Sequence, residues 1–330
     1  MRLDAWDRAL LNEIQLNFPL GARPFAELAA RLGAHEERVL RSLRLLKEAG
    51  IIRRLGGIFD SRRLGYWGTL GALKVPPGRI AEVAAVVNSY EAVTHNYLRE
   101  HEYNMWFTVL TETQAAGLAI LEEIAARTGI PDLLNLPALR FFKIYVYFDC
   151  LDGQAGPGPA PAVGVYDVSA IRARPLDPAE KALVRKLQQG LPLVPRPYAA
   201  LGREVGYSEE EVLRKVADFL ATGVLRRLGA ALKHQRVGYV ANAMIVWQVP
   251  EETVVATGLG LAAFPEVTHC YQRVTTPAWP YNLYTVIHGH SREQALAVAS
   301  RLAGSAGLEG RYQVLFSTAE LKKSSMRYFV

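Results

Sequence analysis

Two short segments of this 330-residue chain bring imidazole, phenol and guanidinium groups together at a spacing of two. In the first, His95, Tyr97, Arg99 and His101 alternate with Thr94, Asn96, Leu98 and Glu100. In the second, His269, Tyr271 and Arg273 repeat the order. Side chains alternate across a β-strand, so each set lines one face. A purely structural sheet would put aliphatic residues there, and an ordinary solvated face would not carry the same groups twice. Imidazole is the side chain best poised to give up a proton near neutral pH. A guanidinium can hold a carboxylate through two parallel hydrogen bonds. His101 and His95, then His269, are therefore candidate general acids, and Arg99 and Arg273 are candidate carboxylate clamps. On one strand face, six residues separate His95 from His101 by roughly 20 Å, so the two cannot serve a single carbon.

The elements that must position these groups form an internal repeat. Arg53-Arg54-Leu55-Gly56-Gly57 with Gly65-Tyr66 returns as Arg226-Arg227-Leu228-Gly229-Ala230 with Gly238-Tyr239. Val93-Thr94-His95 returns as Val267-Thr268-His269, and Tyr103-Asn104-Met105 as Tyr281-Asn282-Leu283. Each half begins with helical periodicity. Leu10, Leu11, Ile14 and Phe18 form an apolar stripe, and amphipathic stretches follow at 25–32 and 36–49, broken by Gly33. The second half repeats the three helices at 179–191, 198–205 and 209–222, the last opened by a Ser208/Glu211 capping box. This is a helix-turn-helix arrangement. The period then changes to two. Strands are predicted at 69–75, 93–99, 104–110 and 139–148, with helices at 80–88 and 113–128. Matching strands fall at 240–249, 267–274, 283–288 and 312–316. The order βαββαβ predicts a ferredoxin-like domain in each half. The fold class is α+β, with two tandem halves. Expected boundaries are a helix-turn-helix domain over 1–66, a ferredoxin-like domain over 67–150, a Gly/Pro-rich linker over 151–174, and the same pair over 175–239 and 240–330.

Half of the residues are hydrophobic, enough to bury substantial cores. No apolar run is long enough to span a bilayer and the N-terminus has no signal-peptide core, so a cytoplasmic protein without membrane contact is expected. Cys150 and Cys270 are far apart and fit no metal-ligand spacing, which points to buried free thiols and no structural metal site. The net charge of +6 favours a polyanionic partner without saying which.

The tandem order, and the opening Leu3-Asp4-Ala5-Trp6-Asp7-Arg8-Ala9-Leu10-Leu11, resemble the Lrp/AsnC regulators. A DNA-reading helix brings its first turn against base edges and phosphates. Here those turns are acidic, Glu36-Glu37 in one half and Glu209-Glu210-Glu211 in the other, which opposes duplex binding. The runs from Thr94 to Thr108 and from Trp279 to Gly289 are more specific, and resemble the signature segments of the siroheme decarboxylases, in the fused form that serves heme d1 biosynthesis. The resemblance covers nearly the whole chain. It implies decarboxylation of two acetate side chains of siroheme to 12,18-didecarboxysiroheme, with no cofactor beyond the substrate's own iron tetrapyrrole and no functional DNA binding. It also implies that the two halves pack together. A DNA-binding regulator and a non-catalytic heme sensor are the competing readings.

With such a substrate the macrocycle is the electron sink, and the protein supplies orientation, desolvation and a proton. His95, His101 or His269 could instead contact the substrate iron axially, since neutral imidazole binds heme iron. The departing carboxylate belongs against an aromatic wall, because a cationic clamp on it would stabilise the ground state. Tyr97, Tyr103, Trp106, Trp279 and Tyr281 are available for that wall, and Asn104, Tyr271, Asn282 and His288 complete the expected substrate-binding set with the two arginines. The second half replaces Glu100-His101 by Val274-Thr275 and inserts Thr276-Pro277-Ala278. The missing counterpart assigns the proton to His101 and leaves His95, repeated as His269, to a binding duty shared by both halves.

Overall fold

A computed structural model describes residues 3–16, 18–151 and 163–330. The core of the expected linker, 152–162, lies outside the described residues. The first half runs α1 (Ala5–Leu16), α2 (Pro24–Arg31), α3 (Glu36–Glu48), β1 (Ile52–Phe59), β2 (Trp67–Leu73), α4 (Ile80–Ser89), β3 (Val93–Arg99), β4 (Met105–Thr111), α5 (Gln114–Thr128) and β5 (Leu133–Ile144). A short β6 (Tyr166–Asp167) follows, so residues 163–174 are not the featureless linker the composition predicts. The second half repeats the plan as α6 (Pro178–Gln189), α7 (Pro197–Val205), α8 (Glu209–Ala221), β7 (Leu225–Leu232), β8 (Ala241–Trp247), α9 (Val254–Ala263), β9 (Val267–Arg273), β10 (Leu283–Gly289), α10 (Arg292–Ala306) and β11 (Tyr312–Lys323). Capping boxes open α6 (Asp177/Glu180) and α8 (Ser208/Glu211), each satisfying backbone N–H groups that the first turn leaves free.

Two features depart from the tandem picture. First, the Arg-Arg-Leu-Gly segments are strands: β1 and β7 form an antiparallel ribbon with Gly56 opposite Gly229. A Cβ on Gly56 would lie 2.5 Å from the Leu187 carbonyl of α6, and one on Gly229 would lie 2.6 Å from the Gln15 carbonyl of α1. The repeated glycine therefore lets the helix of each half seat on the ribbon strand of the other. Leu10, Ile14, Leu183, Leu187 and Leu228 share one apolar core, so the two helix-turn-helix units are not separate bodies.

Second, the last strand of each βαββαβ unit crosses between halves. Residues 133–137 of β5 pair with β2 and residues 138–144 pair with β9. Residues 312–316 of β11 pair with β8 and residues 317–323 pair with β3. The strands run β2-β4-β3-β11-β8-β10-β9-β5, and the β2–β5 pairing closes the ring. Helices cover the outside over two apolar cores, one around Val83, Phe107 and Ile124 and one around Ile245, Leu261 and Leu302. A third core fills the interior between the two halves with Ala72, Trp106, Leu136, Met244, Trp279, Tyr284 and Leu315.

Because β5 and β11 complete each other's sheets, residues 1–151 expressed alone should not give a stable monomer, whereas co-expression with 163–330 should restore a folded pair. Co-purification and a thermal melt near the parent's would check this. A cooperatively folding, monomeric first half would contradict it.

Candidate active site

Paired residues in an antiparallel ladder share a face. Tyr97 lies opposite Trp106 and Tyr271 opposite Tyr284, and both partners belong to the interior core. His95, Tyr97, Arg99 and their repeats His269, Tyr271, Arg273 therefore face inward, where the two halves meet. Each arginine reaches across to the other half. Arg99 donates through Nη1 to the Leu315 carbonyl at 2.8 Å, and Arg273 through Nη1 to the Leu136 carbonyl at 2.7 Å. Each keeps a buried Nε without a partner among the described residues. The fork is thus divided between the fold and the interior rather than free for two bonds to one carboxylate, as the sequence reading had it. Each guanidinium also lies over the ring of the neighbouring tyrosine, Arg99 over Tyr97 at 5.5 Å and Arg273 over Tyr271 at 5.1 Å.

His95 and His269 stand in matching settings, each 3.0 Å through Nδ1 from the hydroxyl of the preceding threonine. The Thr268 hydroxyl lies 3.4 Å from His288 Nδ1 and nearer, at 3.0 Å, to the Val286 carbonyl, which can only accept and so takes its one proton. His269 Nδ1 must then donate, which leaves the lone pair of the neutral ring on Nε2. Burial pushes His95 down to about 3, with Arg53, Lys323 and His269 adding to the effect. Burial likewise holds His269 down to about 4, helped by Arg226, Lys143 and Arg273. Both are neutral at physiological pH, a state suited to accepting a hydrogen bond or a metal bond. His288 joins them on β10, within hydrogen-bond range of Asn242 (3.3 Å) and edge-on to His234, with ring centroids 5.2 Å apart. Burial, first, and then His234, His269, Lys323 and Arg99 hold His288 well below the usual histidine range. Sequence reasoning did not single out His234; its place just after the ribbon strand carries no local signal. Among the described residues, no group of three His, Cys, Asp or Glu side chains is placed to hold a metal ion. Cys150 and Cys270 are both buried and free.

His101 is elsewhere. β3 ends at Arg99, and the chain bends so that His101 leaves the strand face it was expected to share with His95. Its Nδ1 accepts the Tyr103 N–H at 3.0 Å, so the neutral ring carries its proton on Nε2. Trp279 stands edge-on to His101, with ring centroids 5.2 Å apart, and Tyr103 and Trp106 surround the same indole at 5.7 and 5.2 Å. The inserted segment of the second half explains the meeting. Thr276 and Trp279 close a tight turn through reciprocal backbone bonds, and that turn delivers Trp279 into the first half. Burial lowers His101, opposed by Glu102 and by a hydrogen bond with Gln313.

Several expected contact residues have structural roles. Asn104 accepts from the Val75 N–H and donates to the Val75 carbonyl, and Asn282 does the same at Val249. Both amides are backbone clamps, which removes them from the substrate-binding set. Trp106 and Trp279 are 2% and 1% exposed, and their N–H groups go to the Tyr103 carbonyl and the Tyr284 hydroxyl. They fill the interior rather than present an open wall. Tyr281 remains partly exposed beside Trp279, at 4.9 Å between ring centroids.

The acidic first turns of α3 and α8 are ion-paired in the same way, Glu36 with Arg23 and Glu209 with Arg196. No helix among the described residues is long and apolar enough to cross a membrane.

Comparison with known proteins bears on this arrangement. A family model for an AsnC-like ligand binding domain matches residues 63–143 and 236–322, and one for a siroheme decarboxylase NirDL-like HTH domain matches 7–53 and 180–226. A siroheme decarboxylase of Hydrogenobacter thermophilus is 39% identical over 321 residues, which cover 97% of this chain and 94% of that protein. A siroheme decarboxylase alpha subunit of Desulfovibrio desulfuricans is 51% identical over 146 residues, 44% of this chain and 84% of that subunit. The crystal structure of the siroheme decarboxylase NirDL in co-complex with an iron-uroporphyrin III analogue has a TM-score of 0.71 and 35% identity, covering 99% of this chain and 95% of that one.

Proposed function

The chain belongs to the siroheme decarboxylase family, and from that premise we propose that it is a carboxy-lyase that removes two acetate carboxyl groups of siroheme to give 12,18-didecarboxysiroheme. The observation that carries the reading is the 39% identity sustained over 97% of the chain. The interior supplies a matching chemistry, since unpartnered guanidinium N–H groups and neutral imidazoles line it with few carboxylates to balance them. A ligand rich in carboxylates and centred on iron supplies what those groups lack.

In each decarboxylation the bond from the pyrrole methylene carbon to its carboxyl carbon breaks, carbon dioxide leaves, and the electron pair spreads into the macrocycle. The methylene carbon then takes a proton and becomes a methyl group. His101 is the donor in this reading: as the imidazolium, the form that Glu102 favours, it gives one proton to the methylene carbon and returns to the neutral ring, which solvent reprotonates. His95 and His269 present lone pairs and serve binding, through iron or through retained groups. Arg99 and Arg273 hold carboxylates that stay. Tyr281, backed by the buried Tyr103, Trp106 and Trp279, keeps water from the departing one. The reaction asks for no added cofactor, and the protein acts in the cytoplasm without binding DNA.

Anaerobic incubation with siroheme followed by mass analysis tests this. The expected product has lost two carbon dioxide units. Siroheme bound but unchanged would favour a sensor or carrier, and tight sequence-selective duplex binding would restore the regulator reading.

A further inference from the structure

The two ribbon strands present the same arginine to the two repeated clusters, but in different company. Arg226 is paired: its Nη2 lies 2.7 Å from Oδ2 of Asp60, a carboxylate only 5% exposed. Asp60 also accepts the Arg62 N–H at 2.9 Å, and both Arg62 and Arg226 lie over the Phe141 ring. Among the described residues Arg53 has no such partner. Its Nε and Nη1 are buried and make no hydrogen bond with them, whereas in Arg226 only Nε is so placed.

The difference traces to three pairs of equivalent positions. Asp60 follows β1, and Lys233 stands in the same place after β7. Counting along β5 and β11 from their first residues, Phe141 and Ile144 correspond to Glu320 and Lys323. Phe141 and Ile144 pair with Tyr271 and His269, while Glu320 and Lys323 pair with Tyr97 and His95. One cluster therefore has Arg226 paired with Asp60, Arg62 beside the pair, and an apolar neighbour strand. The other has Arg53, Lys323 and nearby Lys233 against one carboxylate, and Glu320 is itself engaged by Lys323 at 3.3 Å and by the Tyr97 hydroxyl at 3.4 Å. Two buried guanidinium N–H groups without acceptors cost free energy unless a ligand satisfies them.

We propose that Arg53 anchors a carboxylate of the tetrapyrrole beside His95, and that Asp60 withholds its repeat counterpart Arg226 from the same role. This rests on the reading above that the ligand is an iron tetrapyrrole bearing carboxylates. It names a specificity residue which that reading does not contain, and it makes the two halves unequal in the charge they offer.

The test is a visible-absorbance titration of the full chain with iron-uroporphyrin III, alongside siroheme turnover by the parent. Arg53→Met should weaken binding about tenfold to a hundredfold, as expected for loss of a charge-assisted hydrogen bond. Arg53→Lys should recover part of the loss, and Arg226→Met should change affinity less than about threefold. Asp60→Asn keeps the acceptor for the Arg62 N–H while releasing Arg226, and should tighten binding. A folded Arg53→Met that binds like the parent, or an Arg226→Met that loses as much, overturns the proposal. If both Arg53 variants fail to fold, Asp60→Asn decides, and unchanged affinity counts against it. If the parent binds the porphyrin but leaves siroheme intact, the enzymatic reading falls and the anchor is still judged by the titration.

Discussion

His101→Ala is expected to bind siroheme nearly as the parent does while turning it over about a hundredfold more slowly or worse, the usual loss when a general acid is removed. The reason lies in the two kinds of histidine the fold creates. His101 accepts the Tyr103 N–H on Nδ1 and so bears its proton on Nε2. His269 donates from Nδ1 and bears its lone pair on Nε2. His95, depressed to about 3 by burial and by the cations around it, is not an imidazolium near neutrality and so has no second proton to give. His95→Ala should therefore fail differently, weakening binding or shifting the visible spectrum of the bound tetrapyrrole. Single-turnover kinetics under anaerobic conditions, paired with absorbance titrations, separates the two variants. A parent-like rate for His101→Ala would remove it from the mechanism.

The largest effect on stability should come from Trp279→Ala, a loss of about 3–5 kcal/mol. The indole is 1% exposed, touches Tyr103, Trp106 and Tyr281, and donates to the Tyr284 hydroxyl. It is carried by the second half but packs on aromatic residues of the first, so truncation opens a hole where the halves join. Urea denaturation should show the loss as a lower midpoint with an unchanged slope. Trp279→Phe, which keeps most of the volume, should cost considerably less. A loss below about 1 kcal/mol for the alanine variant would mean that the interior closes around the gap.

Local patterns made much of the fold legible. The alternation of His95, Tyr97 and Arg99 placed β3 at its observed bounds, and the apolar stripe of Leu10, Leu11 and Ile14 placed the face that α1 buries. What escaped depends on partners distant in sequence. Arg53-Arg54-Leu55-Gly56-Gly57 has too many charges and glycines to read as a strand. It becomes one because β7 pairs with it and because its glycine admits a helix from the other half. β5 begins at Leu133 rather than 139, since Pro137 sits inside it and masks the start. The crossing of β5 and β11 has no local signature at all.

The site was legible in residue type more than in placement. The histidine, tyrosine and arginine triads do face one interior, but the bend after Arg99 separates His101 from His95, and alternation cannot foresee a bend. The repeated Tyr-Asn pairs suggested ligand contacts, yet their amides hold the backbone at Val75 and Val249. A repeated residue marks a repeated task, and supporting a strand end is one such task. Arg53 was visible only as half of a repeat marker, because its orphaned donors depend on Asp60 being a lysine in the other half.

The crossing strands also dictate an order of events at the ribosome. Domains on a nascent chain ordinarily fold from the N-terminus as they emerge. Here β3 pairs with β4 in its own half but acquires its second neighbour only from residues 317–323, the closing stretch of β11. Throughout synthesis of the second half, the edge of β3 is an unsatisfied row of N–H and C=O groups, the kind of edge that recruits strands from other molecules. Contacts spanning more than 200 residues must form last, which makes the final closure slow. Newly made protein is therefore most prone to aggregate in the interval between release of the chain and insertion of β11, and chaperone dependence should concentrate there.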